Sequence, residues 1–246
     1  MMPSKKLNPD LEGTIQFMSN NKSLKVRLEQ LKQLTPITKN QEKVFDLYSK
    51  GYNLCLTGAA GSGKTFLAMY LALEDILARD TEYNKVVIIR SIVPTREIGF
   101  LPGNEEEKLD AYSGPYRGIL SELFTDSEAW TKLINQKELE FLSTSFIRGI
   151  TIDNAIVIVD EMQNLNFHEL DSVITRLGQT CKIIFCGDYY QSDFEKDKDK
   201  NGINIFMKIL SQMKYFEHIE FSWEDIVRSG LVREYIMTKE LCKING

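Results

Sequence analysis

Histidine is almost missing from this sequence of 246 residues: His168 and His218 are the only two. Metal centres built on imidazole therefore have too few ligands to organise the chain. Cysteine is scarce as well. Cys55, Cys181, Cys186 and Cys242 show no paired metal-ligand spacing, and three of them lie within or beside apolar runs. They read as reduced thiols of a cytosolic core. No apolar run is long enough to span a bilayer, because charged residues interrupt each one. The first residues, Met1-Met2-Pro3-Ser4-Lys5-Lys6, lack the apolar segment of a secretory signal. A cytoplasmic protein without a membrane partner is the expectation. An excess of positive charge is also missing, the formal net charge being −5. Contact with nucleic acid would need a local basic groove and would be sensitive to salt. The 43% hydrophobic content is ample for a packed core in one large α/β domain.

The most informative stretch is Gly58-Ala59-Ala60-Gly61-Ser62-Gly63-Lys64-Thr65, which fits the phosphate-loop pattern G-x-x-x-x-G-K-[ST]. Glycines let the backbone curl so that successive amides face a triphosphate. Lys64 can reach the β and γ oxygens, and Thr65 offers a hydroxyl to Mg²⁺. Context supports the match. Asn53–Thr57 reads as a short buried strand, and the stretch from Phe66 to Leu77 as a helix whose N-terminus adds partial positive charge. Gly58 through Thr65, with Phe66 next to them, are the candidate ATP-binding residues.

Along the chain, residues 1–34 read as a polar, partly helical N-terminal extension, with Leu24, Leu28 and Leu31 on one face of a short helix. Residues 35–246 form the catalytic domain. Thr38 can cap a helix over Asn40–Ser49 that stops at Gly51. Val86–Ile89 is a β-branched run suited to a strand buried on both faces. Residues 91–117 look irregular, with helical pieces over 118–136 and a strand at Leu139–Phe146. Ala155–Val159 is a further strand. Asn166 and Glu169 make a capping box for a helix that Gly178 stops. A strand at Lys182–Cys186, a helix near 203–213, a strand near 216–221 and a helix from Trp223 complete the pattern. Alternation of this kind predicts a parallel sheet with helices on both faces.

Ligands of such sheets bind beyond the carboxyl ends of the strands. Three ends carry chemistry: the phosphate loop, Asp160-Glu161 and Gly187-Asp188. Asp160 suits the Mg²⁺ shell, and Glu161 is placed to orient and deprotonate water. An acidic doublet favours hydrolysis over a kinase reaction. Asp188 and Gln191 would face the γ-phosphate from the adjacent strand, with Gln191 helping to position water.

These residues, with others in the same order, resemble the PhoH-like ATPases, in the compact form typical of phage-encoded members. The likeness runs from about Thr38 to Tyr235. It includes Gln41, Gly58–Thr65, Arg90, Gly99-Phe100-Leu101-Pro102-Gly103, Glu107-Lys108-Leu109-Asp110 and Arg148-Gly149 with Thr151. It continues through Asp160-Glu161-Met162-Gln163-Asn164, Thr175-Arg176-Leu177-Gly178, and Gly187-Asp188 with Gln191 and Asp193. Met162 departs from the usual alanine, and Ser91-Ile92 stands where a proline is more common. The resemblance implies a P-loop NTPase with a RecA-like parallel sheet, related to the first motor domain of superfamily 1 helicases. It also implies adenine recognition by Gln41, ring assembly as a hexamer, and ATP hydrolysis with RNA or DNA handling. A fused nuclease domain, present in some relatives, is not expected here.

A single core needs a charge-stabilising arginine, and Arg176 and Arg228 are the candidates, acting in cis or in trans. Arg228 resembles the late arginine motif of helicases. Between Arg90 and Arg117 lie Arg96, Phe100, Lys108, Tyr112 and Tyr116, whose cations and aromatics suit phosphates and bases. Glu105-Glu106-Glu107 opposes that reading, and an interface loop of a ring explains the same residues. Arg148 is a second candidate for polymer contact. Lys196, Lys198 and Lys200 alternate with aspartates as a solvated loop tip. The expectation is Mg²⁺-dependent ATP hydrolysis coupled to RNA or single-stranded DNA. The alternative is an ATP-driven protein remodeller or nucleotide switch without a nucleic-acid substrate.

Overall fold

The computed structural model describes residues 25–58, 60–91, 105–188 and 197–244, without the side chains of 105–111, 197–201, 240 and 243–244. In chain order the elements are α1 (Lys39–Ser49), β1 (Asn53–Gly58), α2 (Lys64–Ala78), β2 (Lys85–Arg90), α3 (Glu105–Leu123), α4 (Ala129–Asn135) and β3 (Leu139–Ser143). They continue with β4 (Ala155–Asp160), α5 (Phe167–Thr175), β5 (Cys181–Cys186), α6 (Asp197–Leu210), β6 (Phe216–Phe221) and α7 (Gly230–Ile244). The six strands form one sheet in the order β3-β2-β4-β5-β1-β6, and every pairing is parallel. This is a parallel α/β arrangement in which one strand, β5, separates the phosphate-loop strand from the acidic-doublet strand.

Parallel neighbours require crossover connections, so helices cover both faces. Alternate strand residues divide accordingly between two cores. Leu54, Leu56, Val86, Ile88, Ile156, Ile158 and Ile184 pack with α1, α2, α3 and α4. Cys55, Val87, Ile89, Val157, Val159, Ile183 and Phe185 pack with α5 and α6. All six residues of β4 are buried, which explains its unbroken apolar run.

Helix starts follow local chemistry. The Thr38 side chain accepts from the Gln41 amide to cap α1. Asn166 and Glu169 form the expected reciprocal capping box of α5. Other expectations change. Of the expected short helix carrying Leu24, Leu28 and Leu31, Leu24 lies outside the described residues, and the described part forms a 3-10 turn over Leu28–Gln30; Leu31 bridges to Phe124, while Leu28 is exposed. Helix α3 begins at Glu105 and runs through Gly114 and Pro115, where irregular chain was expected. Pro115 removes one helical donor, but Tyr116, Leu120 and Leu123 bury the inner face of the helix and tertiary packing outweighs propensity. Lys198 and Lys200 fall in the first turn of α6 rather than in a loop.

Two close approaches tie β6 and the chain after it to their neighbours. Gly58, at the end of β1, has φ +111, and a β-carbon there would lie 2.0 Å from the Phe221 carbonyl oxygen on β6. Asp225 accepts from the Ser222 amide at 2.8 Å and from Asn40 Nδ2 at 2.7 Å, tying the chain after β6 to the start of α1. Burial pushes the Asp225 carboxyl upward, but hydrogen bonds from Thr38, Asn40 and Ser222 outweigh it and hold it below the ordinary aspartate range.

Replacing Gly51, which also has positive φ but open space around it, with alanine is expected to cost about 1–2 kcal/mol. Gly58→Ala should cost clearly more, since backbone must move; urea unfolding of the two variants measures the difference. Asp225→Ala is expected to lose about 1–2 kcal/mol at neutral pH. For this depressed carboxyl the contribution is complete above the unfolded value of about 3.9 and disappears as pH falls through the lower folded value. Unfolding midpoints of wild type and variant should therefore converge in acid.

Candidate active site

Strands β4, β5 and β1 are consecutive in the sheet, so their carboxyl ends bring the acidic doublet, Gly187-Asp188 and the phosphate loop together. Gly58, Gly61 and Gly63 have φ of +111, +77 and +83, the left-handed geometry that a tight anion-binding loop needs. Gly63 is the N-cap of α2, and Lys64 and Thr65 are its first residues. The helix start thus aims its free amides at the same space.

Lys64 is buried and folds back on the loop. Its Nζ donates to the Gly58 carbonyl at 2.8 Å and to Ser62 Oγ at 3.3 Å. Burial pulls its pKa down, while Asp188, Glu161 and Asp160 act in the opposite sense. A cation with three carboxylates in its field is suited to receive phosphate charge. Thr65 Oγ1 donates to Asp160 Oδ1 at 2.7 Å. These two hard oxygens, side by side at the helix N-terminus, fit Mg²⁺, which takes one or two protein oxygens and completes its shell with water and phosphate. Among the described residues no group of three or more histidine, cysteine or acidic side chains is arranged to hold a metal by itself.

Glu161 adopts φ +51 and ψ +44, an uncommon conformation for a residue of its size. Burial raises its pKa and the neighbouring Asp160 charge adds to this. Gln163 holds it: the Gln163 Nε2 donates to Glu161 Oε2, and its Oε1 accepts from the Asp188 amide at 2.9 Å. One buried side-chain amide therefore joins the acidic doublet to the next strand end. Gly187 allows that approach, since a β-carbon there would sit 2.5 Å from Met162 Cγ and 2.6 Å from Gln163 Oε1.

The remaining expected residues divide. Gln41 is buried, and its Oε1 accepts from the Ile37 amide at 2.9 Å. Phe66 is half-buried against the core on the α2 side. Arg228 lies against the phosphate loop of its own chain: a β-carbon at Gly61 would be 3.1 Å from its Cγ, and the Val227 amide donates to the Gly61 carbonyl at 3.2 Å. Arg176 is elsewhere. Its carbonyl accepts from Ile152, before β4 begins, and β4 is about 16 Å long, more than an arginine side chain spans. There it lines a cavity of about 740 Å³ with Arg148, His168, Asp171 and Ser172. Its Nε is buried and has no hydrogen-bond partner among the described residues. Ala59 and Gln191 lie outside the described residues, as do Arg96 and Phe100.

Three participants escaped the sequence reading. Tyr116, an aromatic that in the sequence suits base stacking, is fully buried and donates to Asp160 Oδ2 at 2.7 Å. Arg90, taken as a polymer contact, ends β2 in register with Asp160. Burial pulls its pKa down, but Tyr116, Asp160 and Glu161 outweigh this and hold it above the ordinary value. Gln163 stood inside the acidic motif, but nothing in its spacing assigned it a role. Only the register of β2 on β4 and the packing of α3 place Arg90 and Tyr116 here.

Comparison with known proteins places the chain among described relatives. A PhoH-like protein from Synechocystis sp. is 35% identical over 184 residues, covering 74% of this chain and 55% of its own length. A PhoH-like protein from Bacillus subtilis is 30% identical over 226 residues, covering 92% of this chain and 66% of its own. The chain thus spans somewhat over half the length of these relatives. Among solved structures, the large terminase of a thermophilic bacteriophage, in complex with ADP, aligns at 15% identity with a TM-score of 0.49, over 81% of this chain and 49% of that one. The family model described as PhoH-like protein matches residues 33–240. With most of its length accounted for in this way, the chain belongs to the PhoH-like family.

Proposed function

We propose that this chain is an Mg²⁺-dependent ATPase whose hydrolysis is coupled to RNA or single-stranded DNA. The observation that carries the ATPase reading is the 2.7 Å hydrogen bond between Thr65 and Asp160, with Lys64 on one side and Glu161 on the other. ATP would lie along the glycine loop, with adenine beside Gln41 and the β and γ oxygens at Lys64. Thr65 and Asp160 would hold Mg²⁺, which when bound supplies positive charge to the phosphate oxygens. Glu161, restrained by Gln163, would take the proton of an attacking water. Asp188 stands beside it, and Gln191 follows three positions on in the sequence. Arg228, already on the loop, would reach developing phosphate charge in cis.

Arg148 and Arg176 share the cavity beside α5, and we place the phosphate backbone of the polymer there. A second reading has an observation of its own. Arg176 is too far from the phosphate loop of its own chain to act there, so as a charge-stabilising residue it would serve a second copy in a ring such as a hexamer. No helix among the described residues is long and apolar enough to cross a membrane, and we place the protein in the cytoplasm.

Lys64→Ala is expected to abolish nucleotide binding in calorimetry. Glu161→Gln should retain ATP while phosphate release falls by about 10²-fold or more; normal turnover in this variant would remove Glu161 from the base role. Arg176→Ala is expected to leave unstimulated turnover intact and to weaken stimulation by single-stranded RNA, with a shallower salt dependence. Loss of unstimulated turnover that depends on protein concentration would instead favour a role in trans. Absence of any stimulation by RNA or single-stranded DNA in the wild type would favour a protein remodeller or nucleotide switch.

A further inference from the structure

Asp160 has one hydroxyl on each carboxylate oxygen. Thr65 Oγ1 donates to Oδ1 and Tyr116 Oη donates to Oδ2, both at 2.7 Å. Tyr116 comes from α3, an element outside the loop motifs, and is 0% exposed. Its ring packs on Phe141 at 5.3 Å between centroids, which fixes the plane of the phenol. The positive charge of Arg90, the last residue of β2, acts on the same phenol. The phenol has a single proton, and it is given to Asp160 Oδ2.

We propose that Tyr116 is a positioning residue that reserves Oδ1 of Asp160 for Mg²⁺. A carboxylate with both oxygens loose can turn about its last bond, accept from Lys64, or close on an ion through both oxygens. With Oδ2 held by Tyr116, the group keeps one orientation, and the oxygen shared with Thr65 is the one that faces the ion. The two hydrogen bonds that meet on Asp160, from Tyr116 and from Thr65, also join α3, β4 and α2 at one point. Outer-shell groups of this kind set ligand orientation at metal sites generally, and removing one typically costs about 10–100-fold in metal affinity. The inference rests on the ATPase reading of the site.

The test is Tyr116→Phe, which keeps the ring against Phe141 and removes only the hydroxyl. A fluorescent ADP analogue is titrated into wild type and variant, first in EDTA and then across a Mg²⁺ series at fixed nucleotide, and melting temperature is recorded alongside. The expected result is unchanged affinity in EDTA and a Mg²⁺ midpoint raised by about 10–100-fold. An unchanged Mg²⁺ midpoint overturns the proposal. So does an equal loss of affinity with and without metal, which would mark Tyr116 as a core residue alone. If wild type itself binds the analogue without any response to Mg²⁺, the reading of Thr65 and Asp160 as the metal side fails, and this inference fails with it.

Discussion

The hydrogen bond between Thr65 and Asp160 is the contact on which the remaining site geometry depends. It joins the first turn of α2 to the end of β4 across the intervening strand β5. For that bond to exist, three strands must end at the same height, and the loop before α2 must turn back without side chains in the way. The parallel register meets the first condition. Gly58 meets the second, because the Phe221 backbone occupies the space a β-carbon would need. Sheet and loop are therefore parts of one constraint.

Electrostatics impose a second constraint. Lys64, Asp160 and Asp188 are all buried, and Glu161 is half-buried. Charges taken out of water are tolerable only when each has partners. Lys64 sits on the Gly58 carbonyl, Asp160 is covered by two hydroxyls, and Glu161 by the Gln163 amide. Such satisfaction keeps the groups oriented before any ligand arrives, which is the condition for effective electrostatic catalysis. The opposite shifts at Lys64 and Glu161, downward and upward, have the same first cause: burial disfavours the charged form of each.

Local chemistry governs some elements and tertiary packing others. The phosphate loop, the acidic doublet and the capping box at Asn166 carry their chemistry within a few residues, so the pattern and the geometry coincide. Helix α3 did not, since Gly114 and Pro115 argue locally against a helix that burial of Tyr116, Leu120 and Leu123 sustains. The same is true of the short turn at Leu28–Gln30, where Leu31 reaches across to Phe124 instead of joining a helical face. Arg176 and Arg228 look equivalent as surface arginines in the sequence. One proves to lie beyond the far end of β4 and the other on the loop.

By itself, then, the sequence determined the family, the parallel α/β class, and the phosphate loop and acidic doublet. The family rests on a series of motifs in one order, the class on the pattern of apolar runs, and the site on backbone demands that glycine, lysine and hydroxyl residues meet locally. Tertiary structure alone decided which distant groups complete the site. Tyr116 lies 44 positions from Asp160 in the chain and touches it only because α3 packs beside β3. Arg90 stands beside the same residue only through the register of β2 on β4. Those contacts depend on how elements stack, and stacking is set by the summed burial of both cores rather than by any short run of residues.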